Sequence, residues 1–202
     1  TITQMQELGS AWVFKRAIKD NRTWKKWEDM KTDNGTITQL KSIWRKVGGV
    51  EWSNMADDQW LESFYKQQKA LLDEIGKPKF TEFARSSHYT LPGSKKGETF
   101  MEWVSDLIKD EFDIGNKDNW NPADIWLIKD EKKWREKIEE SVKTPRSMSL
   151  KSEGSVKAQL AQFNEIFRAL YRTKQIIGIS LKKVGKGPAT YKEVNVSAKF
   201  FK

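Results

Sequence analysis

The chain has 202 residues and a net charge of +9, with 37% hydrophobic and 32% charged residues. It is too polar for a membrane protein and, at 12% aromatic residues, too aromatic for a disordered one. The absence of cysteine excludes disulfides, thiol nucleophiles and cysteine–zinc sites, and a single histidine argues against a catalytic triad or a multi-histidine metal site. No segment has the roughly 20 apolar residues of a membrane helix, and the first residues lack the pattern of a signal peptide. We therefore expect a cytoplasmic protein that does not contact membrane.

The first half of the chain is predicted to be mainly helical. Apolar residues at three- and four-residue spacing predict helices over 3–20, 36–47 and 53–75. A segment rich in tryptophan and lysine, 24–27, lies between the first two helices. Residues 77–98, which include the only histidine, His88, are predicted to be irregular.

The second half alternates helices with short apolar runs. Helices are predicted over 98–112, 131–142 and 155–174, with a loop at 143–154. Apolar runs predict strands over 123–128 and 176–184, and a partner strand over 190–196. Helices around a small sheet indicate an α/β or α+β fold.

The positive charge is concentrated near the end of the chain. Residues 174–202 hold seven lysines and one acid, 7 − 1 = +6, whereas residues 55–75 hold two lysines and five acids, 2 − 5 = −3. A basic surface favours a polyanionic partner such as DNA, although a solvated surface would have the same composition. Ten tryptophans are present, of which four lie on predicted helical stripes and four others are less easily placed. Core packing and stacking on bases are both open for Trp24, Trp27, Trp44 and Trp52.

Two charged residues fall inside predicted strands. Asp124 stands between Ala123 and Ile125, where an unpaired carboxylate would be costly to bury, so it needs a cation or N–H partner or caps a turn. Strand alternation would place Ser180 and Lys182 on one face of the next strand. Lys182 either points at the carboxylate or protects a strand edge.

An acid on one strand, a lysine on another and a glutamate in the first helix resemble the PD-(D/E)xK nuclease superfamily. Pro122-Ala123-Asp124 matches the PD element, Ser180-Leu181-Lys182 matches (D/E)xK through Lys182, and Glu7 matches the helical acid. The resemblance implies a restriction-endonuclease-like core, a small mixed sheet flanked by helices. It would form one domain, 1–202, with a helical insertion at 21–115.

The same resemblance implies a site. Asp124 and Glu7 would bind Mg²⁺, and Lys182 would assist the attacking water. Five cations would neutralise the flanking phosphates of DNA: Arg168, Arg172, Lys174, Lys183 and Lys186.

Ser180 departs from the family pattern, which has Asp or Glu at this position. A hydroxyl is a weaker Mg²⁺ ligand than a carboxylate. Either another acid, such as Glu98 or Glu102, compensates, or the site is inactive and a basic surface remains.

Three functions follow as alternatives: a metal-dependent endo- or exodeoxyribonuclease, an inactive relative that binds DNA or serves as a phage structural protein, and a protein-interaction module. Segments around Gln6-Glu7, Asn121–Trp126 and Gly178–Val184 also resemble those of tailed-phage proteins. That resemblance implies a location in the host cytoplasm or in the virion, with phage or host proteins as further partners.

Overall fold

The computed structural model describes residues 2–52, 54–85, 98–115, 120–121, 123–143, 153–182, 184–185 and 187–190. The principal helices are α1 (Ile2–Ile18), α2 (Asn34–Ile43), α3 (Asn54–Ile75), α4 (Phe100–Phe112), α5 (Glu131–Lys143) and α6 (Glu153–Arg172), and the strands are β1 (Glu82–Ala84), β2 (Ile125–Ile128) and β3 (Ile176–Ile179). A 3₁₀ helix at Trp27–Thr32 and a π-helical turn at Trp44–Gly48 precede and follow α2. Over these ranges, no helix is both long and apolar enough to cross a bilayer.

The strands form one sheet in the order β1-β2-β3, and both pairs are antiparallel. The α+β class is therefore confirmed, but the described sheet is not the mixed sheet that was predicted. The connection between β2 and β3 explains the difference. Two helices, α5 and α6, separate these strands, so the chain re-enters the sheet at the end where it left, and the Lys129 N–H donates to the Gln175 carbonyl at 2.8 Å.

Helices cover both faces of the sheet. On one face α1, α2 and α3 form a first hydrophobic cluster with the sheet, which includes Leu8, Phe14, Leu61, Phe64, Phe83, Ile125 and Leu127. On the other face α4, α5 and α6 form a second cluster, which includes Phe100, Val104, Trp126, Ile128, Ile138, Phe163 and Ile176. The predicted insertion 21–115 thus supplies α2, α3, α4 and strand β1 to the three-layer structure.

Helix α1 is the central helix of the first layer, and most of its side chains from Met5 to Ala17 are buried. Its Gly9 faces Phe64 of α3, whose ring is inaccessible to solvent. A Cβ atom built on Gly9 would lie 2.5 Å from Phe64 Cζ. The two helices can approach this closely because position 9 has no side chain.

A polar network fixes the end of α1 against the start of α2. Arg16 binds Asp20 at 2.9 Å and Asp33 at 3.1 Å, and its Nε donates to Thr36 Oγ1 at 3.2 Å. Asp33 also caps α2, because its carboxylate accepts the Thr36 N–H at 3.1 Å. Burial opposes ionisation of Asp33, but the Thr36 N–H and the Arg16 guanidinium together hold its pKa below the usual value.

One predicted strand was too long and another strand was missed. Strand β3 ends at Ile179, not at 184, because the chain then turns onto α3: Gln67 Nε2 donates to the Lys182 carbonyl at 2.7 Å, and the Val184 N–H donates to Ser63 Oγ at 2.9 Å. Strand β1 lies in a segment predicted to be irregular. His88 and all but the first residue of the predicted strand 190–196 lie outside the described residues.

Gly9→Ala should lower the free energy of unfolding. Overpacking a core costs about 1–3 kcal/mol, and the higher helix propensity of alanine offsets about 1 kcal/mol of it. We expect a net loss of about 1 kcal/mol in urea denaturation, from the difference of these two terms. Gly115→Ala is the control, since a Cβ there meets no atom within 4 Å. Equal stabilities of the two variants would contradict the close contact.

Asp33→Asn should reduce the fall in the free energy of unfolding at acid pH. The amide keeps an N-cap acceptor and removes the charge that faces Arg16. Because the folded pKa lies below the ordinary value of 3.8, the stability from Asp33 is fully present above that value and is lost as the pH falls through the folded pKa. Urea midpoints measured from pH 6 to pH 2 should therefore fall less in Asp33→Asn than in the unmodified protein. Parallel curves would contradict this role, and Asp58→Asn, in a half-exposed pair with Lys31, is the control.

Candidate functional site

Asp124 joins the start of β2 to the end of β3. Its N–H donates to the Ile179 carbonyl at 2.9 Å, and its carboxylate accepts the N–H of Leu181. This pairing continues the β2–β3 register, in which Ile125 faces Ile179. The structure therefore brings Asp124 next to the Ser180-Leu181-Lys182 segment, as the sequence motifs predicted.

Ser180 and Lys182 lie beyond the end of β3, so the strand predicted over them was wrong, although their exposure alternates with that of Leu181 as predicted. Both side chains are exposed, while Leu181 between them is buried. The Lys182 carbonyl accepts from Gln67, and Gln67 Oε1 in turn accepts from Ser10 Oγ at 2.8 Å. This chain of hydrogen bonds joins α1 and α3 to the segment after β3.

Glu7, the third predicted catalytic residue, lies in the same region but already has a cationic partner. It is 7% exposed and forms an ion pair with Arg85, the residue after β1. Because Ala84 faces Trp126 across the sheet, Arg85 comes next to Ile125, one residue from Asp124 along β2. Glu7, Asp124, Ser180 and Lys182 thus share one end of the sheet, which we call the Asp124 end.

The side chains at the Asp124 end do not fit a magnesium site as they stand. Glu7 binds a guanidinium, Asp124 accepts a backbone N–H, and position 180 is a serine. No group of three or more acidic, histidine or cysteine side chains that could hold a metal ion occurs in the part of the chain that the structure describes. Mg²⁺ favours several charged oxygens in octahedral geometry. Glu98, considered as a compensating acid, lies 3.7 Å from Arg135, and burial raises its pKa. Magnesium dependence therefore stays a prediction.

The described members of the predicted phosphate-binding set do not lie together at the Asp124 end. Arg172 and Lys174 precede β3, so they lie at the opposite end of that strand from Ser180. Arg168 is on α6 and pairs with Glu165. Lys183 and Lys186 lie outside the described residues. Of the described members of the set, Arg172 and Lys174 are therefore separated from Ser180 by the length of β3.

The four unplaced tryptophans pack against the first cluster. Trp44 is 1% exposed and its ring centre lies 5.1 Å from that of Trp52. Trp24 and Trp27 are partly buried against the same cluster. Packing against the first cluster is therefore observed for all four, and only Trp44 is fully buried.

Sequence reasoning missed three residues of the Asp124 end: Ser10, Gln67 and Arg85. Ser10 carried a weak signal, because a serine in the apolar run of α1 needs a hydrogen-bond partner once buried. Arg85 carried none, since it lies in a segment without periodicity and 78 positions from its partner.

Comparisons with protein-family models, with curated proteins and with solved structures find no match to this chain.

Arg85→Met should be strongly destabilising. It leaves the buried Glu7 carboxylate without its guanidinium, and breaking one side of a buried pair costs about 3–5 kcal/mol. Adding Glu7→Gln should restore part of this loss in urea denaturation. The control is Arg45→Met, whose pair with Glu51 is 69% and 78% exposed, and it should change stability by less than about 1 kcal/mol. An Arg85→Met variant as stable as the control would show that the pair contributes little.

Proposed function

We propose that this protein binds nucleic acid, DNA foremost, without hydrolysing it. One feature of the charge distribution carries the proposal. Exposed cations such as Lys174 and Lys182 have no ion-pair partner in the described structure. In contrast, the carboxylate of Glu7, which was predicted to bind a metal ion, is neutralised by Arg85. With a net charge of +9, such cations attract phosphates, and phosphate contacts supply most of the affinity in non-specific binding.

The protein is not expected to hydrolyse phosphodiester bonds, because the carboxylate of Glu7 is already paired with Arg85. Phosphodiester hydrolysis of the kind that the family resemblance implies needs acids that are free to accept a metal ion. Here the Glu7 carboxylate would first have to leave Arg85, and both groups are largely buried, with side chains 10% and 13% exposed. An inactive relative of the PD-(D/E)xK nucleases therefore agrees better with the arrangement than an active enzyme.

A metal-dependent nuclease is the second candidate, and one observation favours it. Asp124 contacts the segment that holds Ser180 and Lys182, as the motif resemblance requires. The predicted location, in the host cytoplasm or in the virion, and partners among phage or host proteins belong to the same proposal, because both rest on the resemblance to tailed-phage proteins.

A combined binding and cleavage assay tests the proposal. We expect the protein to bind labelled DNA in fluorescence anisotropy with an affinity that falls steeply with salt, and to leave plasmid and single-stranded DNA intact in Mg²⁺, Mn²⁺ or EDTA. Asp124→Asn and Lys182→Gln should bind within about threefold of the unmodified protein, because each removes at most one charge or phosphate contact.

Other results have distinct meanings. Metal-dependent cutting that disappears in both variants would establish the nuclease and overturn the non-hydrolysing proposal. Cutting that persists in both variants would indicate a contaminating enzyme. A protein that neither cuts nor binds DNA would overturn nucleic-acid binding and leave the protein-interaction module.

A further inference from the structure

The end of the sheet opposite Asp124 collects cations from four separate connections. Residues 19–22 follow α1, residues 76–81 join α3 to β1, residues 129–130 join β2 to α5, and residues 173–175 join α6 to β3. Together they contribute six cations, which we call the basic rim: Lys19, Arg22, Lys77, Lys79, Lys129 and Lys174.

Contacts between these connections show that the rim is continuous. Lys77 Nζ donates to Asn21 Oδ1 at 2.9 Å, which joins the first connection to the second. The Thr81 N–H donates to the Ile128 carbonyl at 2.8 Å, and Lys129 Nζ lies 5.8 Å from the centre of the Phe80 ring, which join the second to the third. The Lys129 N–H donates to the Gln175 carbonyl at 2.8 Å and completes the series.

The cations of the rim are available to a ligand. Five are exposed and Lys129 is half-buried, and none forms an ion pair among the described residues. The neighbouring acids are already engaged: Asp20 binds Arg16, Glu131 binds Arg135, and Asp130 accepts the Lys133 N–H at 3.3 Å. With the two acids that lie within these connections, Asp20 and Asp130, the rim has a net charge of 6 − 2 = +4, which favours a polyanionic ligand.

The backbone at Lys174 makes it possible to separate the charge of this lysine from its effect on folding. Its φ is +51°, in the left-handed region where glycine or asparagine is favoured and a long side chain is strained. Asn21 and Asp130, in two other connections of the rim, have the same conformation but are residue types suited to it. Glycine adopts this conformation at lower cost than lysine, so a Lys174→Gly substitution removes the charge without weakening the backbone.

We propose that the basic rim binds the phosphodiester backbone of duplex nucleic acid. The inference rests on the proposed function and names its surface, which differs from the one predicted from sequence. Flexible lysines spread over four connections suit phosphates rather than base edges. Single strands are bound largely by stacking on exposed aromatic rings, but Phe80 beside the rim is 4% exposed and Trp24 packs against the first cluster. Contacts to the phosphate backbone of a duplex therefore fit this surface better than stacking on the bases of a single strand.

Two triple variants of equal charge test the rim. The rim variant carries Lys19→Gln, Lys79→Gln and Lys174→Gln, and the control variant carries Lys41→Gln, Lys109→Gln and Lys157→Gln, all at exposed lysines. Affinities for a 20-base-pair duplex and for a single strand of equal length are measured by anisotropy across a range of salt. We expect the rim variant to lose about tenfold or more in duplex affinity and the slope of log K against log salt to become shallower by about 2–3, while the control stays within about threefold.

A single substitution separates binding from folding. Lys174→Gly relieves the left-handed strain, so its unfolding free energy should equal or exceed that of the unmodified protein while its duplex affinity falls. Lower duplex affinity with unchanged or higher stability cannot arise from damage to the fold. This result would support binding through the rim.

Three outcomes would overturn the proposal. If the rim variant binds like the unmodified protein, or the control loses as much, the protein binds nucleic acid through another surface. If single strands bind more tightly than duplex, the proposed ligand, duplex nucleic acid, is wrong. If the unmodified protein binds neither DNA nor RNA duplex but does bind vesicles of anionic phospholipid, nucleic-acid binding itself fails.

Discussion

The burial of strand β2 on both faces constrains the rest of the structure. All four of its side chains are inaccessible to solvent, so each face needs its own layer of apolar groups. Its backbone N–H and C=O groups need partners at both edges, which β1 and β3 provide. A sheet enclosed in this way offers polar groups access to solvent at its two ends, and both surfaces with candidate roles lie there.

The two ends differ in how their charges are used. At the Asp124 end, the Glu7 carboxylate is neutralised by Arg85 and the Asp124 carboxylate accepts the Leu181 N–H, and these contacts hold α1 and the segment after β3 against the sheet. At the opposite end, lysines project from short connections without ion-pair partners in the described chain. Local neutralisation indicates a role in holding the structure together, and unbalanced charge indicates a role in attracting a partner.

The sequence allowed the helices and strand β2 to be predicted because their apolar patterns are long or continuous. Strand β1 was missed because three residues show no periodicity, and β3 was predicted too long because hydrogen bonds to Gln67 and Ser63 turn the chain away from the sheet. The approach of Asp124 to the 180–182 segment was predictable from strand pairing. The Glu7–Arg85 pair and the basic rim were not, since each depends on segments that are distant in sequence and carry no shared motif.

The separation of the two ends limits how a nucleic acid could engage them. Lys174 and Ser180 are joined through β3, and extended chain spans about 3.3 Å per residue, so the ends lie roughly 15–20 Å apart. Successive phosphates along one DNA strand advance about 3.4 Å, so a single phosphate cannot contact both ends, whereas a duplex segment of about five base pairs could. Binding at the rim and any chemistry at Asp124 would therefore act on different phosphates of one ligand. For the same reason, the presence of a serine rather than an acid at position 180 does not affect the rim.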